Sequence, residues 1–259
     1  MPRQETIDYE EQYKDSTVFF SSFAFTNTGL IKSQTTLKID TYTLMTVPWQ
    51  FGMRRSVLLG FLSADEIGFF QRYKGSAASL TLAIQRPDAN QPFKIFSRCQ
   101  VAGLGQMKDR DGVGMIVIDW KPLPPALAEI LGEYLSLLDR LKVEQDDYRN
   151  KVVSINPENA RKLGYNNYAV LAKGSEKHKI ALFSLGANRL EFLMPMAAPE
   201  QKAGDKAVFE MYFLKYRFAV AGEIEASSRL PTGVQRCKAT IAFSPELVHI
   251  LEEYFTSRS

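Results

Sequence analysis

Short runs in which apolar and polar residues alternate recur along most of this chain. Apolar stripes with a period near 3.6 occur at few places. Alternation is the mark of a strand with one buried face, and the longer period marks an amphipathic helix. Val18 to Phe25 is a short β-branched and aromatic run closed by Thr26-Asn27-Thr28-Gly29, which predicts a strand ending in a turn. Thr36 to Pro48, rich in Thr, Leu, Ile, Tyr and Val, predicts further strand. Ser63-Ala64-Asp65-Glu66 before Ile67-Gly68-Phe69-Phe70 is a capping signal ahead of a short helix. Ala78 to Ile84 and Phe93 to Leu104 flank the polar loop from Arg86 to Pro92 and predict a hairpin, with Met115 to Trp120 as a last strand. From Pro124-Pro125 onward, Leu127, Ile130, Leu131, Tyr134, Leu135 and Leu138 fall on one helical stripe.

The second half repeats this plan. Strands are predicted over 151–155, 168–172, 179–184, 188–194, 208–213, 216–226 and 234–243, followed by a helix from Ser244-Pro245-Glu246 with Ser244 as its cap. The two helices align: Pro125, Leu127, Ile130, Leu131, Glu133 and Tyr134 recur as Pro245, Leu247, Ile250, Leu251, Glu253 and Tyr254, 120 residues later. Val101-Ala102-Gly103 similarly recurs as Val220-Ala221-Gly222, 119 residues on. Apolar periodicity fixes residue class but not the shared Pro and Tyr, so duplication of one domain of about 120 residues is the expectation. Many short strands with turns between them suggest an antiparallel barrel or sandwich, covered at one end or edge by the following helix. The expected layout is a polar segment over 1–17, a barrel with closing helix over 18–138, a charged linker helix over 139–150, and a second barrel with closing helix over 151–259.

Composition narrows the function. At 259 residues the chain is long enough for two cores, and 45% hydrophobic with 24% charged residues is ordinary for a folded protein. A net charge of +3 gives little support for nucleic-acid binding or a polybasic membrane anchor. No segment has the pattern of a signal peptide or a membrane span, so a cytoplasmic protein without membrane insertion is expected. Cys99 and Cys237 are the only cysteines and are expected as reduced core residues. His178, placed in a polar loop, and His249, on the terminal helix, are the only histidines, and neither has a partner at metal-ligand spacing. There is no phosphate-binding Gly-rich loop and no nucleophile elbow, and Gly103-Leu104-Gly105 is expected as a turn. Arg54-Arg55 and Arg72-Tyr73-Lys74 are expected on a solvated face. No enzymatic activity, metal or resident cofactor is indicated.

One family resemblance emerges. Pro124-Pro125-Ala126-Leu127-Ala128-Glu129-Ile130-Leu131-Gly132, the charged linker, Lys151-Val152-Val153-Ser154-Ile155-Asn156, Leu163-Gly164 and Phe183-Ser184-Leu185-Gly186-Ala187 together resemble the PilZ family. The likeness is to the two-domain PilZ proteins of spirochaetes in particular. It implies a mainly β fold of two tandem PilZ-like antiparallel barrels, each followed by a C-terminal helix. It also implies a receptor for cyclic di-GMP. That family grips the dinucleotide with an Arg-x-x-x-Arg linker, whose guanidiniums clamp phosphates and guanine edges, and an Asp/Asn-x-Ser-x-x-Gly turn. Here Asp147 and Lys151 occupy the arginine positions, with Arg149 between them. In the turn, alignment on Ser184 puts Leu182 at the acid position and Ala187 at the glycine position, and alignment on Gly186 instead puts Ala181 and Phe183 at the acid and serine positions. The remnant site is therefore Arg149, Lys151, Ser184 and Gly186, and cyclic di-GMP binding is disfavoured. The expectation is an adaptor acting on an unidentified protein partner, in motility, envelope or transcriptional control. The alternative is a receptor that still binds the dinucleotide between linker and second barrel.

Overall fold

The computed structural model describes residues 8–257, and the chain divides by its own contacts between Leu137 and Leu138. The first unit contains α1 (Tyr9–Gln12), β1 (Thr17–Phe19), α2 (Ser22–Thr28), β2 (Thr35–Ile39), β3 (Tyr42–Gly52), β4 (Arg55–Phe61), α3 (Ala64–Phe70), β5 (Ala77–Ile84), β6 (Phe93–Gln106), β7 (Val113–Trp120) and the N-terminal part of α4 (Pro125–Asp147). The second contains the rest of α4, then β8 (Val152–Ser154), α5 (Pro157–Leu163), β9 (Tyr165–Lys173), β10 (Glu176–Gly186), β11 (Arg189–Met194), β12 (Lys206–Phe213), β13 (Arg217–Arg229), β14 (Gln235–Ile241) and α6 (Pro245–Thr256).

Each unit is a closed antiparallel ring of six strands, so the structure is mainly β with two barrels, each followed by a helix. The first ring runs β2-β3-β4-β7-β6-β5 and back to β2; the second runs β9-β10-β11-β14-β13-β12 and back to β9. Closure removes the edges of the sheet over most of each ring. The extra strands match as well. β1 pairs with the end of β3 that β2 leaves free, and β8 does the same for β10. Alternation along the strands sends Leu37, Phe51, Leu58, Leu80 and Ile116 into the first core and Leu171, Leu185, Phe192, Phe209 and Met211 into the second, all fully buried. Each such side chain contributes about 1.5–3 kcal/mol.

The closing helices obey the register read from the sequence. Leu127, Ile130, Leu131 and Tyr134 are buried in α4 as Leu247, Ile250, Leu251 and Tyr254 are in α6. Tyr134 lies against Phe23 of α2 with ring centroids 6.2 Å apart, and the Tyr254 hydroxyl donates to Asn159 of α5 at 2.9 Å. The strand match at Val-Ala-Gly does not hold. Val101 pairs with Ile118 and is followed by a bulge, and Ile224 pairs with Ala239 and is followed by a bulge. Val101 thus corresponds to Ile224, and the shared tripeptide is a coincidence of composition.

Other expectations shift. The run from Val18 holds only a three-residue strand before α2, because Ser21 caps α2 by accepting from the Ala24 amide and Gly29 ends it in the left-handed region (φ 70°). Thr36 to Pro48 spans two strands broken at Asp40, whose φ is 53°. His178 and Gly103-Leu104-Gly105 lie within strands, not in a loop or turn. Arg54, Arg55, Arg72 and Lys74 are exposed as expected, with Arg55 also bonded to Asp119 and Arg72 stacked on Phe69 at 3.7 Å. In the N-terminal segment, of which residues 1–7 lie outside the described range, Tyr9 packs where Gly132 of α4 leaves room for its ring, and Tyr13 shares a hydrogen bond with Ser136.

Gly29 and Gly164 end the equivalent helices α2 and α5 with φ of 70° and 67°. A methyl at Gly29 would sit 2.3 Å from the Gln85 carbonyl oxygen, whereas at Gly164 it would meet only Leu214 carbons at ordinary contact distance. Gly164→Ala is expected to cost roughly 1–2 kcal/mol, the left-handed backbone penalty. Gly29→Ala will cost distinctly more, as read by urea unfolding of each variant.

Candidate functional site

The resemblance directs attention to the end of α4, the segment into β8, and the turn joining β10 to β11. All belong to the second unit. The charged linker is helical through Asp147, and its Leu141 is fully buried rather than solvated. Gln145 donates to the Ala187 carbonyl at 3.0 Å, and Arg189 donates to the Arg149 carbonyl at 2.7 Å, so turn and linker are tied by two hydrogen bonds. Gly186 permits this close approach. A methyl there would lie 3.0 Å from the Lys151 carbonyl oxygen. Arg149, Lys151 and Gly186 are thus brought together, and Ser184 follows two residues before Gly186 on β10, opposite Ser154 and Glu191.

The side chains are committed elsewhere. Arg149 is exposed and bonded to Asp146 at 2.6 Å, one helical turn back. The Lys151 ammonium stands 4.5 Å from the Tyr148 ring centre and 5.3 Å from that of Phe255, rings which themselves meet edge-on at 5.3 Å. A cation over rings at an exposed site gains about 0.5–1 kcal/mol, and an exposed ion pair no more. These captures are individually weak. The replaced residues are the larger change: Leu182, at the acid position, is buried, and Ala187, at the glycine position, is fully buried.

Pairing of β10, β11 and β14 adds side chains that no local motif reveals. A bulge between Leu182 and Ser184 turns Phe183 outward, where it is 44% exposed. The Arg236 guanidinium lies 4.2 Å over its ring and bonds Glu191 at 2.5 and 3.2 Å, while Lys238 reaches the same carboxylate at 3.3 Å. Burial pushes the Glu191 carboxyl up, but hydrogen bonds from Arg236 and Lys238 outweigh it and hold the group below its ordinary value. The first unit carries the same bulge, between Pro48 and Gln50, with Trp49 in the place of Phe183 and Gln50 in that of Ser184.

Chemistry of other kinds finds little footing. Burial pushes the Cys99 thiol up to about 11 and raises Cys237 too, so neither is a ready thiolate. Among the described residues no group of three His, Cys, Asp or Glu side chains could hold a metal, and no helix is long and apolar enough to cross a membrane.

No family model and no curated relative matches the chain. Solved structures do. The chain is similar to the Borreliella burgdorferi PlzA protein in complex with c-di-GMP, at 16% identity over 96% of this chain and 97% of that one, with a TM-score of 0.48. It is similar to Escherichia coli YcgR in complex with c-di-GMP, at 14% identity over 86% and 82% (TM-score 0.32). A third likeness is to the Bacillus subtilis inhibitor of motility MotI/DgrA, at 10% identity over 88% and 96% (TM-score 0.29). These neighbours are PilZ-domain proteins, the group the sequence resembles.

Arg140 of α4 bonds Glu252 of α6 at 2.6 and 3.3 Å and also pairs with Glu144, which anchors the linker to the closing helix of its own unit. The Arg140 hydrogen bond, working against burial, holds the Glu252 carboxyl below its ordinary value of 4.5. The stabilisation is complete above the unfolded value and is lost as pH falls through the lower folded one. Glu252→Gln should therefore lower stability by about 0.5–1 kcal/mol at neutral pH, a modest figure because Arg140 is half exposed. Denaturation at a series of pH values should show the deficit shrinking below about 4.5 and vanishing once the folded carboxyl is protonated.

Proposed function

We propose that this chain is a non-catalytic PilZ-type regulatory adaptor that acts in the cytoplasm through contacts with a partner protein. Its cyclic di-GMP site is eroded. The observation that carries this reading is the occupancy of the two clamp positions. Asp147 sits where a phosphate-gripping arginine is required, and Lys151 sits at the other with its ammonium over Tyr148 and Phe255. A charge-assisted hydrogen bond is worth about 1.5–3 kcal/mol, so losing two or three removes roughly two to six decades of affinity. Asp147 adds repulsion toward a phosphate, and the buried Leu182 offers nothing to a guanine edge. What supports an adaptor over a mere relic is that both barrels keep the full ring, the bulge and the closing helix although the ligand-gripping groups are gone.

The competing reading is a receptor that holds cyclic di-GMP between linker and second barrel. Calorimetry decides between them. The unmodified protein is expected to give no saturable heat with cyclic di-GMP up to ~100 μM. The variant carrying Asp147→Arg, Lys151→Arg, Leu182→Asp and Ala187→Gly is expected to bind in the low micromolar range. Saturable low-micromolar binding by the unmodified protein, abolished by Arg149→Ala with Lys151→Ala, would overturn the proposal.

A further inference from the structure

Equivalent strands of the two units present different outer faces. In the second unit, cross-strand rows over β10, β11 and β14 carry Ser184, Glu191 and Lys238, then Ala181, Leu193 and Arg236. The equivalent rows over β3, β4 and β7 carry Gln50, Val57 and Val117, then Val47, Leu59 and Met115. The three charged residues of the second unit, Glu191, Lys238 and Arg236, have Val57, Val117 and Met115 in their places in the first. The first row continues onto β1 as Phe19, 62% exposed, and the bulge adds Trp49, 37% exposed. Successive residues of β4 and β7 alternate between buried and partly exposed, so these side chains point away from the core.

Two further features shape this face. Its rows end on β6 at Gly103 and Gly105, where an added methyl would meet nothing within 4 Å. Glycine weakens a strand interior; the bulge after Val101 accounts for Gly103, while Gly105 leaves room for close approach from outside. The bounding row holds Arg55 and Asp119, joined by hydrogen bonds of 2.7 and 3.1 Å, so the face carries no uncompensated charge.

We propose that this face of the first unit is a self-association surface pairing two copies of the chain. A twofold interface sets a patch against itself, so any net charge on it meets its like. This face is neutral, whereas the equivalent face of the second unit carries two cations to one carboxylate. Projecting aromatics beside a glycine recess are also self-complementary, because the twofold places the aromatics of one copy over the recess of the other. The area is adequate for a modest dimer. Five strands spaced about 4.8 Å apart, by about 20 Å along them, give a footprint of about 400 Å². That is the apolar centre of a standard interface of ~800 Å² per partner, with a polar rim supplying the rest.

Sedimentation velocity on the full chain between ~1 and ~100 μM tests this. The unmodified protein is expected to show a monomer–dimer equilibrium with a micromolar dissociation constant. The variant Val57→Glu with Val117→Lys copies the residues that the second barrel carries at these positions, and it leaves net charge unchanged. It should keep the unmodified circular dichroism spectrum and weaken association at least ten-fold. Trp49→Ala, at the exposed bulge, should weaken association as well, and decides the matter if the double variant does not fold. A protein that stays monomeric throughout, including one whose face serves a different partner, overturns the proposal. So does a folded variant that dimerises like the unmodified chain.

Discussion

A six-stranded antiparallel ring closes only if its strands bend and tilt enough for the last to meet the first, and every register must agree around the circle. In both units the hairpin that starts this bend contains one extra residue, Trp49 in β3 and Phe183 in β10. A bulge increases local twist and leaves its residue unpaired, so it bends the strand and aims that side chain outward. Everything beyond it is then fixed in phase. Gln50 meets Val57 and Ser184 meets Glu191, and from there the pairing runs on to Val117 and Lys238. The bulge thus defines the same outer face in each unit, and the sequence has written different chemistry on it.

The second unit keeps the polar version. Its linker is tied to the turn through Gln145, Arg189 and the space left by Gly186. The cations that remain are each engaged: Arg149 by Asp146, Lys151 by two rings, Arg236 by Phe183 and Glu191. No single engagement is strong, and the rings that hold Lys151 do not neutralise its charge. The first unit carries Val57, Val117 and Met115 where the second has Glu191, Lys238 and Arg236.

Much of this was legible in the sequence. The closing helices were, because Pro125 and Pro245 start them and one stripe of Leu, Ile and Tyr is buried in each. The β5–β6 hairpin and the capping box at Ser63 were legible for similar reasons: period and cap are local. β4 was missed because Val57-Leu58-Leu59-Gly60-Phe61 is apolar on both faces and shows no alternation, which is itself a consequence of the apolar outer face. α2 was hidden because the strand propensity of Phe23 and Phe25 gave way to caps at both ends. Of the candidate site, the linker and turn residues could be found by motif, while Phe183, Glu191, Arg236 and Lys238 come from three strands and meet only through pairing.

The bulge can be tested by separating its extra residue from its side chain. Removing Phe183 altogether would leave Leu182 and Ser184 opposite Phe192 and Glu191 in an unbroken ladder, keeping inner and outer faces but removing the local bend and twist that the bulge supplies. Replacing it by alanine keeps the count and removes only a half-exposed ring. Thermal melting followed by circular dichroism should show Phe183→Ala within about 2–4 °C of the unmodified protein. The deletion should lose the cooperative transition of the second unit. If both changes melt alike, closure does not depend on the bulge, and the shared framework proposed for the two faces fails with it.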